Sequence, residues 1–333
     1  MSLDKSFFTR NTNITAKVIC DSISEQGVRL TTFEIEYPRI VMSEFNTHRA
    51  VSKNSSSSRA IPVSKMLEHT KNINLKPVYF GSKRSGMQAG DELQGDALEK
   101  VKLLWEEALD YASYYSETLD RLGVAKEVCN RLVEPFQLVK VVCTATDWDN
   151  FFNLRLHPDA DPNICMLAYK MYQAMQNSVP QLLKSGEYHL PYVDFDNKFG
   201  YIADQTILTL EEAIKISAAS CASVSYRTEG MTLEKADKIF DMLIKAEVIH
   251  SSPLEHCATP VSKEVEIENS DYLTVGFINK ASDPNTWEDG VTHMNKQGEL
   301  CSGNLRGFIQ YRHLLPNNTS WSFDFEKRME LFK

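Results

Sequence analysis

The chain has 333 residues, 42% of them hydrophobic and 24% charged, a balance that excludes disorder as the default and gives enough apolar mass for one large domain or two smaller ones. A formal net charge of −9 excludes a broad basic footprint for nucleic acid, yet leaves room for a local arginine cluster around one small anion. Seven cysteines (Cys20, Cys129, Cys143, Cys165, Cys221, Cys257, Cys301) are scattered without a C-x-x-C pair, which points to reduced thiols rather than to a disulfide frame, a redox motif or a metal site. No stretch approaches the ~20 apolar residues of a membrane span, so a cytoplasmic protein with no membrane partner is expected.

In chain order, residues 27–37 (GVRLTTFEIEY) alternate Phe33, Ile35 and Tyr37 with Glu34 and Glu36, the period of a strand with one wet face, and Pro38 ends it. Residues 39–54 carry Ile40, Val41, Glu44, Phe45, His48 and Arg49 at helical spacings, so a helix is expected with Glu44 and His48 on one side, one turn apart. The serine run 55–58 then follows a helix end. An amphipathic helix is expected from Asp91 to Gly123, a second from Val124 to Leu132 stopped by Pro135, and a strand or buried segment from Gln137 to Thr146. Asp147 is placed as the cap of a short helix with Arg155 in its last turn, and Asn163–Leu183 as a further helix.

Beyond these, Thr209 and Glu212 form a capping box at the head of a helix, and a helix is expected from Thr232 to Ala246. A strand around Val265–Ile267 and a helix over 303–315 (GNLRGFIQYRHLL) follow. Residues 80–91 and 285–297 read as exposed loops. No low-complexity linker divides the chain. The expected architecture is α+β, mixed helices and antiparallel sheet, as one compact domain over 1–333 with possible halves at 1–200 and 201–333.

P-loop, dinucleotide-fold, esterase and zinc-protease signatures are absent. What stands out is a set of arginines in apolar contexts, Arg49, Arg59, Arg131, Arg155, Arg306 and Arg312, together with the stretch NTHRAVSKNSSSSR at 46–59. On composition alone that stretch reads equally as a slack tether or as a phosphate grip in which hydroxyls, backbone N–H groups and the Arg59 guanidinium ring an anion.

The spacing His48-Arg49-x7-Ser57-Ser58-Arg59 resembles the R-H-R-x7-S signature of the flavin-dependent thymidylate synthases. CNRLVEPF (129–136), NFFNLRL (150–156), SCASVSYR (220–227) and IHSSPLEH (249–256) resemble further blocks of that family, the last two in permuted order. The resemblance implies that Ser57, Ser58, Arg59 and Arg131 hold a 5′-phosphate and that Arg155 faces the pyrimidine, with Ser57 as the motif serine. It implies that His48, Arg49, Asn54 and Asn150 contact flavin. It also places His250 near the reactive edge of the flavin, with Ser225, Ser252 and Glu255 beside the cofactor. Two positions depart from the signature: Thr47 replaces the first arginine and Glu44 the expected glutamine, so Gln310 and Arg312 are candidates to supply the lost groups to substrate alongside Glu44.

The implied activity is FAD-dependent transfer of a one-carbon unit from methylenetetrahydrofolate to C5 of dUMP, with NADPH as reductant, in a homotetramer or possibly a dimer. No cysteine nucleophile is required. Alternatives are a flavin-dependent hydroxymethylase acting on dUMP or dCMP, and a nucleotide-binding protein without turnover.

Overall fold

The computed structural model describes residues 3–86, 88–225, 230–245, 249–262, 283–320 and 322–332. The chain is α+β and divides into two compact units. Unit 1 comprises Met1–Leu183, Ser223–Gly230 and Asn304–Arg306; unit 2 comprises Lys184–Ala222, Met231–Gly303 and Gly307–Lys333.

Unit 1 is built on a five-stranded sheet in the order β3-β4-β2-β1-β5, from β1 (Thr15–Ser24), β2 (Arg29–Pro38), β3 (Ser52–Ser55), β4 (Leu138–Ala145) and β5 (Gln181–Leu183). All neighbours are antiparallel except β1 and β5. The alternation expected in residues 27–37 is real: Phe33, Ile35 and Tyr37 are fully buried and meet Val139, Val141, Cys143 and Ala145 of β4 in one core. Phe151 of α5 (Asp149–Arg155) and Ile164, Met166, Leu167 and Met171 of α6 (Pro162–Gln176) close that core. Each such side chain contributes ~1.5–3 kcal/mol by leaving water. A smaller core joins Val63, Met66 and Leu67 of α2 (Val63–Ile73) to Cys129 of α4 (Lys126–Cys129) and Val133, with Ala112 and Leu119 of α3 (Gly95–Arg121) packed against it.

Several expectations change. The helix expected over 39–54 stops early: residues 39–41 are a 3-10 turn, α1 covers only Met42–Asn46, and Ser52–Ser55 become edge strand β3. The ladder to β4, with Asn54 opposite Val142, satisfies backbone groups that a helix there would have left to its own turns. Asp147 does not cap α5, whose N-cap is Trp148; its carboxylate pairs with Arg306 instead, at 3.1 Å. Strand β1 and helix α2 were not expected, although Val63, Met66 and Leu67 fall at the i, i+3, i+4 spacing of one helical face.

Unit 2 contains α7 (Leu210–Ala222) and α8 (Leu233–Ile244), which pack through Ala213, Ile214, Ile216, Ala236 and Phe240. The Thr209–Glu212 capping box is formed, with Thr209 N donating to Glu212 Oε2 at 2.8 Å. A three-stranded meander, β6 (Asp194–Asp196), β7 (Gly200–Ala203) and β8 (Thr206–Leu208), precedes α7, and β9 (Ala258–Pro260) follows α8. Strand β10 (His293–Met294), paired with β11 (Leu300–Ser302), interrupts the loop expected at 285–297. The helix expected over 303–315 is absent: the segment holds β12 (Leu305–Arg306, in unit 1), β13 (Phe308–Gln310) paired antiparallel with β9, and a 3-10 turn at Tyr311–Leu314. Gly303 (φ 58°) and Gly307 (φ 67°) take left-handed backbone that breaks any helix there. The strand expected at 265–267, the end of α8 at Ala246, and Tyr226 and Arg227 lie outside the described residues. Among the described residues no helix is long and apolar enough to cross a membrane.

Candidate functional site

Two clusters of side chains form in unit 1, one before β3 and one after it. Before the strand, Arg155 leaves the last turn of α5 and docks on the end of α1. Its Nε donates to His48 Nε2 at 2.8 Å, and its Nη2 donates to Thr47 Oγ1 at 3.0 Å and to the Glu44 carbonyl at 3.3 Å. Glu44 and His48 are thus joined through Arg155 rather than through a shared helix face. His48 is buried, its ring edge-on to Phe151 at 4.9 Å. Burial, and then the charges of Arg155 and Lys53, push its pKa down to about 4, so near neutral pH the imidazole is uncharged and its Nε2 lone pair is free to accept from Arg155. Within the described residues Arg155 Nη1 makes no hydrogen bond.

After the strand, the serine run turns away from the sheet. Ser56 N donates to the Lys140 carbonyl at 2.8 Å, and Ser57 N donates to Ser225 Oγ at 2.8 Å, which brings the Ser225 block to the loop. Ser57 is exposed and its Oγ accepts from Arg59 N. Ser58 faces inward: it is buried, and its hydroxyl donates to Glu134 Oε1 at 3.1 Å. Arg59 is exposed and paired with Glu127 at 3.0 Å. Arg49 and Arg131 are exposed and make neither a hydrogen bond nor an ion pair within the described residues. Asn54 is half-buried within β3, and Asn150 is exposed on α5.

Three residues around the loop escaped the sequence reading. Asn130, fully buried, donates through Nδ2 to the carbonyls of Ser58 and Ile61 at 2.8 and 2.9 Å. Arg39 sits directly after β2, its side chain largely buried, and its Nη2 donates to the Ser56 carbonyl at 3.3 Å. Glu134 accepts from Ser58 and lies 3.9 Å from Arg39 Nη1. The signals available were an arginine immediately after the strand-ending Pro38, and an asparagine and a glutamate flanking Arg131.

The other candidates lie in unit 2. Arg312 Nη1 donates to Glu255 Oε1, and Arg312 Nε is buried with no partner. Gln310 is buried in β13. His250 is exposed, its N–H bonded to the Leu243 carbonyl at 3.0 Å, and Ser252 is exposed at the start of a 3-10 turn.

Residues 23–181 match the model of a family described as thymidylate synthase complementing protein. Over this segment the chain is similar to that family, the flavin-dependent thymidylate synthases. Both unit 1 clusters fall inside the family segment apart from Ser225, and the unit 2 candidates lie beyond its end. Two solved structures similar to the chain are of a UMP/dUMP methylase, PolB, from Streptomyces cacaoi. The one bound with 5-Br UMP shares 16% identity, covers 50% of this chain and 89% of that chain, and has a TM-score of 0.41. The one bound with 5-Br dUMP gives 16%, 50%, 90% and 0.40. Comparison with curated protein sequences finds no match.

Proposed function

We propose that the chain is a thymidylate synthase-type methyltransferase that places a one-carbon unit from methylenetetrahydrofolate on C5 of dUMP, giving dTMP, with FAD as cofactor and NADPH as reductant. The family match over residues 23–181 carries the reading. The Arg155–His48 contact supports it, because it joins the H-R and N-L-R blocks across 107 residues of sequence.

The donor set fits the anions this chemistry needs. Arg49 and Arg131 are exposed and make neither a hydrogen bond nor an ion pair within the described residues, and Ser57 is exposed at the start of the loop. In this reading Arg131, Ser57 and Arg59 hold the 5′-phosphate, with Ser58 anchoring the loop from below. Arg49, His48, Asn54, Asn150 and Ser225 face the flavin. Strand β3 (Ser52–Ser55) lies in the chain between the His48 contact of Arg155 and the serine loop. Arg155 presents Nη1 to a pyrimidine carbonyl, its plane fixed by Thr47, Glu44 and a neutral His48. When bound, the flavin supplies the redox chemistry that no side chain provides.

No cysteine serves as nucleophile. Burial drives the thiol pKa of Cys143 far up and that of Cys257 up to about 12, the opposite of an activated thiolate. The reading extends to a cytoplasmic homotetramer. Leu104, Tyr111, Tyr115 and Leu122 lie exposed along one side of α3, which offers an apolar face to a second copy.

The test is an absorption scan of the purified full chain, followed by NADPH under anaerobic conditions and tritium release from 5-labelled dUMP with product mass. A flavin spectrum bleached by NADPH and a methylated product are expected. A protein that neither carries nor binds FAD would sink the reading, and a hydroxymethylated product or a preference for dCMP would replace the methyl transfer.

A further inference from the structure

Beneath the serine loop lies a charge pair that the proposed chemistry does not use. The Arg39 side chain is 12% exposed and that of Glu134 34%, and they approach to 3.9 Å. Each also grips the loop: Arg39 Nη2 donates to the Ser56 carbonyl, and Glu134 Oε1 accepts from the Ser58 hydroxyl. Asn130 fixes the Ser58 carbonyl independently, so the loop's path does not depend on the pair alone.

As a stabilising device the pair is poor. Its contact is long, Arg39 Nε is buried with no partner among the described residues, and a buried cation facing a distant carboxylate gains little over an apolar side chain of similar volume. Its charges matter in another way. Any phosphate on the loop would sit above a carboxylate that opposes it and a guanidinium that favours it, both partly screened from water, where Coulomb interactions keep more of their strength than at an open surface.

We propose that Arg39 and Glu134 are positioning residues that set the affinity of the serine loop for the 5′-phosphate of the nucleotide, Glu134 drawing Ser58 inward at an electrostatic cost to anion binding and Arg39 cancelling that cost. The inference rests on the nucleotide site proposed above. It requires the two charges to act with opposite sign. A merely structural pair has the other signature: removing either partner weakens binding, because either loss disturbs the loop.

The experiment is calorimetric titration of the full chain with dUMP and with deoxyuridine, for wild type, R39M, E134Q and the double variant. Glutamine at 134 keeps an acceptor for the Ser58 hydroxyl and removes only the charge. We expect dUMP binding to weaken about tenfold in R39M and to tighten several-fold in E134Q, with the double variant within about threefold of wild type. Deoxyuridine, which lacks the phosphate, should bind all four proteins alike. Weaker dUMP binding in both single variants, unchanged binding in both, or equal changes with deoxyuridine would overturn the pair's role. If R39M does not fold, E134Q decides alone: tightening specific to dUMP supports the inference, and unchanged or weaker binding overturns it. A wild-type chain that does not bind dUMP overturns the nucleotide reading itself and the pair with it, whereas wild-type binding with same-sign variants overturns the pair only.

Discussion

Acid should destabilise the fold by a definite amount through His48. In the folded chain its ring is 8% exposed, accepts from Arg155 and faces a second cation in Lys53. Burial first and those charges second hold its pKa at about 4 against the ordinary value of 6.5. The folded pKa is depressed for a base, so stability is full above the unfolded value and is lost as pH falls through 6.5 towards 4. At about pH 5 the unfolded imidazole is almost wholly protonated and the folded one almost wholly neutral. At about 1.4 kcal/mol per pKa unit, that difference costs ~2 kcal/mol relative to pH 7. His48→Gln keeps an acceptor for Arg155 and removes the titration. Urea unfolding at the two pH values, for both proteins, should show wild type losing ~2 kcal/mol more than the variant. His256, fully buried and pushed down to about 3, is present in both and cancels in the comparison. An equal loss in wild type and His48→Gln would show that the imidazole is not held neutral against Arg155, and the geometry of that cluster would have to be redrawn.

Arg59→Ala should leave stability within ~0.5 kcal/mol, because its pair with Glu127 is exposed at both ends, yet cost ~2–4 kcal/mol in dUMP binding; a melt and a titration check the two, and an unchanged dissociation constant would return the serine run to a tether. Arg155→Ala should lower kcat/KM by ~100-fold or more in tritium release, since it removes a guanidinium oriented by three separate acceptors at the end of α1, and a change under about threefold would remove it from the chemistry. Cys143→Ser and Cys257→Ser should each cost ~1–2 kcal/mol of stability by burying a hydroxyl, with turnover retained; loss of turnover in a folded, flavin-binding variant would contradict a mechanism without a cysteine.

Where a residue's role follows from spacing along one element, the sequence was readable. Phe33, Ile35 and Tyr37 announced β2, Thr209 and Glu212 announced the head of α7, and the apolar repeat of α3 ran up to Gly123, whose φ of 82° ends the helix. Where a role depends on what the chain meets far away, it was hidden. Ser52–Ser55 has no strand-like composition and becomes a strand because β4 offers it a ladder, which also cut short the helix expected through Asn54. Asn130 and Glu134 sit in a segment chosen for Arg131, and nothing local shows that their side chains run back to Ser58, more than seventy residues earlier. Residues 303–315 had an apolar pattern compatible with a helix, but two glycines in left-handed backbone and the partner strand β9 decided otherwise.

The departure at Thr47 shows how a motif can change while its geometry stays consistent. By resemblance an arginine belongs there, and the sequence suggested that Arg312 makes good the loss. Arg312 is instead engaged with Glu255, and the guanidinium beside Thr47 is that of Arg155, with its Nη2 3.0 Å from the hydroxyl. A second guanidinium at position 47 would face Arg155 at close range, a repulsion of ~4 kcal/mol at 4 Å for an effective dielectric near 20. It would also raise the cost of the hydrogen bond to neutral His48. Threonine replaces that conflict with an acceptor, while its own hydroxyl donates to the Glu44 carbonyl at 2.7 Å and so carries the fixing of Arg155 back into α1. The cation lost from the motif is therefore matched by a more firmly held Arg155. Arg49, which keeps its place in the signature, is exposed and forms neither a hydrogen bond nor an ion pair within the described residues.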